Sequence, residues 1–171
     1  MRRRTLFALA GVSMWAASCA PAATTKGDGA GNAGPQPEEH AEQAPGAKCL
    51  SLAGAVHERK AGEPLKIGAR HVLVKYKGAK NAPDTVTRSR EEACLRAIEA
   101  RDKVLAGTDF DAVVTEYSDE AGAADRRGTV GTVERADVAP AWADAAFELS
   151  IMEMSDVVET DFGFHLILRT E

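Results

Sequence analysis

Two stretches decide how this chain folds: Ile67-Gly68-Ala69-Arg70-His71-Val72-Leu73-Val74-Lys75-Tyr76, and Val157-Val158-Glu159-Thr160-Asp161-Phe162-Gly163-Phe164-His165-Leu166-Ile167-Leu168-Arg169. The first is rich in β-branched residues and reads as a strand. The second reads as two strands, Val157–Thr160 and Phe164–Arg169, with Gly163 allowing the tight turn between them. Side chains alternate along a strand, so His71 shares a face with Ala69 and Leu73, and His165 shares one with Ile167. If the two strands pair, the imidazoles can meet at the centre of a sheet. Asp161-Phe162-Gly163 invites a kinase reading, but the chain has neither a Gly-rich phosphate loop followed by a catalytic Lys nor a catalytic-loop motif.

Between these strands the periodicity turns helical. Ser89-Arg90-Glu91-Glu92 has the form of a capping box, and Cys94, Ala97, Ile98, Arg101, Val104 and Leu105 continue a mostly apolar stripe that should end at Gly107. Thr108 is the expected cap of a second helix, Asp109 to Tyr117, with Phe110, Val113 and Val114 inward. Gly128 to Val133 is a short strand, and a third helix should start near Pro140 and run to Leu149. The order is β-α-α-β-α-β-β, an α+β domain without internal repeats.

Working outward, 171 residues with 44% hydrophobic and 27% charged positions suit one soluble domain with one modest core. The net charge of −5 is unevenly laid out: +3 over residues 1 to 19, −2 over 20 to 48 and −6 over 49 to 171. An acidic body argues against nucleic acid, which needs clustered Lys and Arg to release counterions. No apolar run reaches the roughly 18 to 20 residues of a membrane-spanning helix.

Arg2, Arg3 and Arg4 precede a mostly apolar stretch, Thr5 to Ala17, in the manner of a secretory signal. Ala16-Ala17-Ser18-Cys19 resembles the lipobox of bacterial lipoproteins, which implies a signal peptide over residues 1–18, a lipid on Cys19 and attachment of the exported chain to a membrane of the cell envelope. An ordinary signal peptide with an incidental Cys is the alternative. Residues 20 to 48 hold 8 Ala, 5 Gly and 4 Pro and no Val, Ile, Leu, Met, Phe, Tyr or Trp. Such a segment cannot bury enough to fold, so residues 19–48 are expected to be a tether, about 30 Å long as a coil and about 95 Å stretched. Residues 49–66 form a lead-in that either adds a strand or stays extended. Cys49 and Cys94 are compatible with a disulfide in an envelope compartment, and Cys94 equally with a small buried apolar residue.

Taken together, Ala69-Arg70-His71-Val72-Leu73-Val74-Lys75, Phe110 through Glu116-Tyr117-Ser118-Asp119, Ala145-Ala146-Phe147-Glu148-Leu149, Met154-Ser155 and Thr160 to Arg169 resemble parvulin-type peptidyl-prolyl cis-trans isomerases. The likeness covers residues 67–171, with the elements in the family's order. It implies a four-stranded antiparallel sheet surrounded by helices, Pro-containing polypeptides as substrates, and no cofactor or metal. A monomer is expected.

The resemblance also implies roles. His71 and His165 match a hydrogen-bonded pair beneath the substrate amide, and Thr160 a hydroxyl that joins them; scaffolding and direct catalysis are both open to this pair. Glu120 stands where the family carries Cys or Asp beside the twisting amide, a departure that lengthens the side chain by a methylene or more; Asp125 is an alternative. Val130, Val138 and Trp142 match the lining of the proline cup, and Val133 falls where an aromatic is common. Lys75 matches a basic position that, in phosphorylation-directed members, helps bind an anion before the proline, with Lys77 and Lys80 in the following loop. Three functions follow: an envelope isomerase that assists folding, a peptide-binding holdase on the same fold that no longer accelerates rotation, or a lipoprotein spacer.

Overall fold

A computed structural model describes residues 44–171; the expected signal peptide, Cys19 and the tether up to residue 43 lie outside the described residues. The elements run α1 (Pro45–Ala53), β1 (Lys66–Val74), α2 (Arg90–Leu105), α3 (Phe110–Tyr117), β2 (Thr129–Glu134), a 3-10 turn (Arg135–Asp137), α4 (Pro140–Glu148), β3 (Val158–Thr160) and β4 (Gly163–Arg169). The sheet is antiparallel throughout, in the order β2-β1-β4-β3. The four-stranded architecture is the one the sequence implies.

Alternation along the central strands sorts the core into two layers. Val72, Val74, Phe164 and Leu166 face α1, α2 and α3, where Ala97, Val113, Val114 and Tyr117 are buried against them. Ile67, Ala69, Ile167 and Val158 face α4, against Trp142, Ala145, Ala146 and Phe147. The single core expected from composition is therefore divided by the sheet. β1 and β4 are apolar on both sides, as strands covered on two faces must be.

Helix ends follow their chemistry. Ser89 Oγ accepts from the Glu92 N–H at 3.1 Å, and the Glu92 carboxylate accepts from the Ser89 N–H at 2.6 Å, closing the capping box. Asp109, rather than Thr108, caps α3 by accepting from the Asp111 N–H at 2.7 Å. Thr108 is already committed, because its N–H donates to the Lys103 carbonyl and closes α2. Gly107 makes that closure possible at φ +96°, a left-handed position that favours glycine.

The helix α1 is the element composition hid. Residues 45–48 fall in the stretch assigned to the tether, yet they form its first turn, with Pro45 at the start and Gly46, Cys49 and Ala53 buried. At Gly46 a β-carbon would come 3.0 Å from the Glu91 β-carbon, so this close approach to α2 needs glycine. Cys49 is bonded to Cys94 on α2, their Cα atoms 6.0 Å apart, which settles the two alternatives for these residues. A helix of nine residues is marginal alone; here a covalent bond and the buried small residues hold it.

The bridge closes a loop of about 45 residues, and constraint of the unfolded chain at that length corresponds to about 2–4 kcal/mol. Urea unfolding of the oxidised protein and of Cys49→Ser/Cys94→Ser should differ by that amount. Coincident unfolding curves would show that α1 owes nothing to the bridge.

Candidate active site

The site begins with the edge of β1. Beyond Arg70 this edge no longer pairs with β2, and its three outward N–H groups find other acceptors. The His71 N–H donates to the Gly128 carbonyl at 2.8 Å, that of Leu73 to Ser118 Oγ at 3.2 Å, and that of Lys75 to the Asp119 carboxylate at 2.8 Å. The Asp119 N–H returns the bond to the Leu73 carbonyl at 2.7 Å. Ser118-Asp119 thus continues the sheet as a side-chain-mediated edge. Glu120 is thereby placed beside His71.

His71 faces Ile167 across the β1–β4 ladder and His165 faces Leu73, so the imidazoles are diagonal neighbours on the α4 side of the sheet. Their Nδ1 atoms are 3.3 Å apart. His71 Nε2 lies 2.9 Å from Glu120 Oε2, and His165 Nε2 lies 2.8 Å from Thr160 Oγ1, which accepts from the Phe162 N–H at 3.1 Å. Arg126 pairs with the same Glu120 oxygen.

Burial and charge both act on this chain. Removal from water holds the His165 imidazole well below its ordinary value, with the neighbouring His71 acting the same way, so His165 is neutral. The His71 hydrogen bond, and then Arg126, lower the Glu120 carboxyl to about 2 against the cost of its partial burial. An ionised carboxylate only accepts, so His71 donates from Nε2. One hydrogen bond then joins the two Nδ1 atoms and another joins His165 Nε2 to Thr160 Oγ1. Every donor then meets an acceptor from the Phe162 N–H to Glu120. All four ring nitrogens are engaged in hydrogen bonds.

Above this chain is a cavity of about 220 Å³. His71, Thr160 and His165 form its floor, with Glu120 at one side, and Leu73, Val130, Val138, Trp142 and Phe162 contribute apolar walls. Trp142 is 3% exposed and stands edge-on to His71, ring centroids 6.3 Å apart at 77°. Seven of the nine residues singled out for this site therefore share one cavity: His71, Glu120, Thr160, His165, Val130, Val138 and Trp142.

Lys75 and Val133 do not line it. Lys75 is buried and its ammonium donates to the Asn81 carbonyl at 2.8 Å, holding the loop that follows β1. Val133 is buried in the α4-side core. Asp125 is exposed and also absent from the lining. Leu73, Phe162, Asp137 and Ala139 line the cavity as well, beyond the residues expected from the sequence. Leu73 carried a signal, its alternation with His71; Phe162 had only its nearness to Thr160. Lys80 reaches the rim, with its nitrogen 4.9 Å from the centre of the Phe162 ring.

The chain is similar to known proteins in both sequence and fold. Residues 50–171 match the family described as the PPIC-type PPIASE domain. The chain belongs to this family of peptidyl-prolyl isomerases. It is 35% identical over 114 residues to the peptidyl-prolyl cis-trans isomerase pin1 of Rhizopus delemar, covering 64% of this chain and 75% of that one. To the foldase protein PrsA of Halalkalibacterium halodurans it is 37% identical over 75 residues, 44% of this chain but only 22% of the foldase. Its fold is similar to the solved peptidyl-prolyl isomerase ESS1 from Candida albicans, with a TM-score of 0.59, 26% identity and 63% of each chain covered. The isomerase domain so identified carries Glu120 and Arg126 in its site.

The two shifted groups set the response of this domain to acid. His165 is held below its ordinary value, so the unfolded chain takes up its proton first and stability falls as pH drops below about 6.5. Glu120 is also depressed; its contribution is fully present above about 4.5 and is lost as pH falls towards about 2. Comparing urea midpoints of the natural protein and Glu120→Gln should show the natural protein losing its advantage between these two values. Parallel pH profiles would remove the ionised Glu120 from the network.

Proposed function

We propose that this chain catalyses cis–trans rotation of X-Pro bonds in exported polypeptides and assists their folding at the cell envelope, where a lipid on Cys19 holds it to the membrane. The observation that carries the catalytic part is the hydrogen-bonded chain Thr160–His165–His71–Glu120 running beneath an apolar cup of about 220 Å³.

The chemistry needs no bond to break. Resonance gives the peptide C–N bond its barrier of about 18–20 kcal/mol, and it does so by moving negative charge onto oxygen and positive charge onto nitrogen. Rotation undoes that separation. A proline ring seated among Leu73, Val130, Val138, Trp142 and Phe162 leaves water, and its planar, charge-separated amide loses solvation that the twisted amide needs less. The Glu120 carboxylate at the side of the cup adds negative potential that disfavours charge on the carbonyl oxygen. His71 and His165, fixed by their hydrogen-bond partners, keep the floor from reorganising as the bond turns. Each 1.4 kcal/mol taken from the barrier is worth about tenfold in rate.

Three observations support the compartment. The order of Arg2 to Arg4, the apolar Thr5 to Ala17 and Ala16-Ala17-Ser18-Cys19 is that of an exported lipoprotein. The Cys49–Cys94 bridge suits an oxidising space. A foldase is among the similar proteins.

Isomerisation of short X-Pro peptides by the purified protein, followed by exchange NMR, tests the activity. Glu120→Ala should lower kcat/KM on the order of tenfold to a hundredfold, about 1.4–2.8 kcal/mol of barrier, with the far-UV spectrum unchanged. A folded protein that binds these peptides without accelerating rotation would instead be the holdase. Replacing Cys19 by Ser in a native-like host should move the protein out of the membrane fraction; continued attachment would contradict the lipid anchor.

A further inference from the structure

A second, larger cavity of about 500 Å³ opens beside the proline cup, and the two share Ala139 and Thr160. One wall is the end of α1 and the residues after it, Ala53, Gly54 and Ala55; the opposite wall is Ala139, Pro140 and Ala141 at the start of α4. The floor carries Tyr76, Glu159 and Asp161. Cavities of this volume are the size of ligand sites. Walls built from Ala, Gly and Pro leave the space to an incoming side chain instead of filling it.

The charges on the floor are unequal. Glu159 is held by Arg90 through two hydrogen bonds, both close to 2.5 Å. Asp161 is exposed, and among the described residues its carboxylate has no ion-pair partner. The Lys80 ammonium lies against the Phe162 ring, 4.9 Å from its centre. The floor therefore keeps one uncompensated negative charge.

A proline enters the cup as part of a chain, and that chain has to leave it. Thr160 and Ala139 line both the cup and the second cavity, so the two are neighbours. We propose that this cleft is a subsite for the substrate segment flanking the proline, and that it takes a long basic side chain, Arg or Lys, with its stem along the Ala and Gly walls and its cation at Asp161. The enzyme then reads an extended, positively charged stretch of an unfolded chain and not the X-Pro pair alone. The Cys49–Cys94 bridge has a part in this, because it fixes the helix whose end forms one wall. The inference rests on the isomerase reading of the cup but concerns a different set of residues.

The test uses the full protein and two lengths of peptide. A blocked tetrapeptide centred on X-Pro fills only the cup; decapeptides with the same centre carry Arg or Glu at each position two to four residues from the proline on either side. Both binding, by fluorescence anisotropy, and kcat/KM are measured. At one or more positions Arg should exceed Glu by about fivefold, the upper end of what an exposed ion pair supplies. Asp161→Asn should abolish that preference, and Ala55→Trp, at an exposed wall position, should abolish the advantage of the decapeptide over the tetrapeptide. The tetrapeptide should behave alike in all three proteins. Equal treatment of Arg and Glu everywhere, or a preference that survives Asp161→Asn, overturns the subsite. Failure to accelerate the tetrapeptide counts against the isomerase reading instead, and the anisotropy data still decide the cleft.

Discussion

Six antiparallel pairings between β1 and β4, from Ala69 opposite Arg169 to Val74 opposite Phe164, are the constraint on which the site depends. They put His71 and His165 one diagonal step apart on the face that α4 covers. A slip of one residue would turn one imidazole to the other face, into the layer packed by α2 and α3, and would break the Nδ1 contact. The register is protected on both sides, since Val72, Val74, Phe164 and Leu166 fill one layer and Ala69 and Ile167 the other. Gly163 belongs to the same constraint. Its φ of +135°, with a β-carbon there running into the Val74 carbonyl, lets the β3–β4 turn return Thr160 to His165.

That geometry would be costly if its polar groups were unmatched, because an unpaired donor or acceptor beneath an apolar cup loses its water without compensation. The chain from the Phe162 N–H to Glu120 avoids this by giving every group one partner of the opposite kind. It ends on a carboxylate at the partly exposed side of the cup, where charge is cheapest to keep.

Much of this was legible in the sequence because it rests on local signals. Alternation around His71 and His165, the Ser89 capping box and Pro140 each announce their element within a few residues. What stayed hidden was set by distant partners. Helix α1 has no amphipathic stripe of large residues, and its place comes from a disulfide to a residue 45 positions away and from glycine against Glu91. Lys75 directly follows β1, where a basic side chain is readily assigned to a ligand, but the loop folds back and takes its ammonium with the Asn81 carbonyl. Thr108 and Asp109 both have cap chemistry; the N–H that α2 needs decides between them.

Glu120 is held from two sides, by His71 and by Arg126. A glutamate is longer than aspartate by one methylene, and a displacement of about an Ångström matters at a reacting amide. The structure answers with Arg126, whose guanidinium is itself held by the Thr129 carbonyl at 3.2 Å and the Ala121 carbonyl at 2.9 Å while it pairs with Glu120. The carboxylate is caught between this anchored cation and His71, so the extra torsion gains little freedom. Its position is then determined by the backbone of the loop from Ala121 to Thr129, and that loop is tied to β1 where the His71 N–H meets the Gly128 carbonyl. The longer acid and the histidine it faces are thus located by the same piece of chain, which keeps their separation fixed even though neither residue's own side chain is stiff.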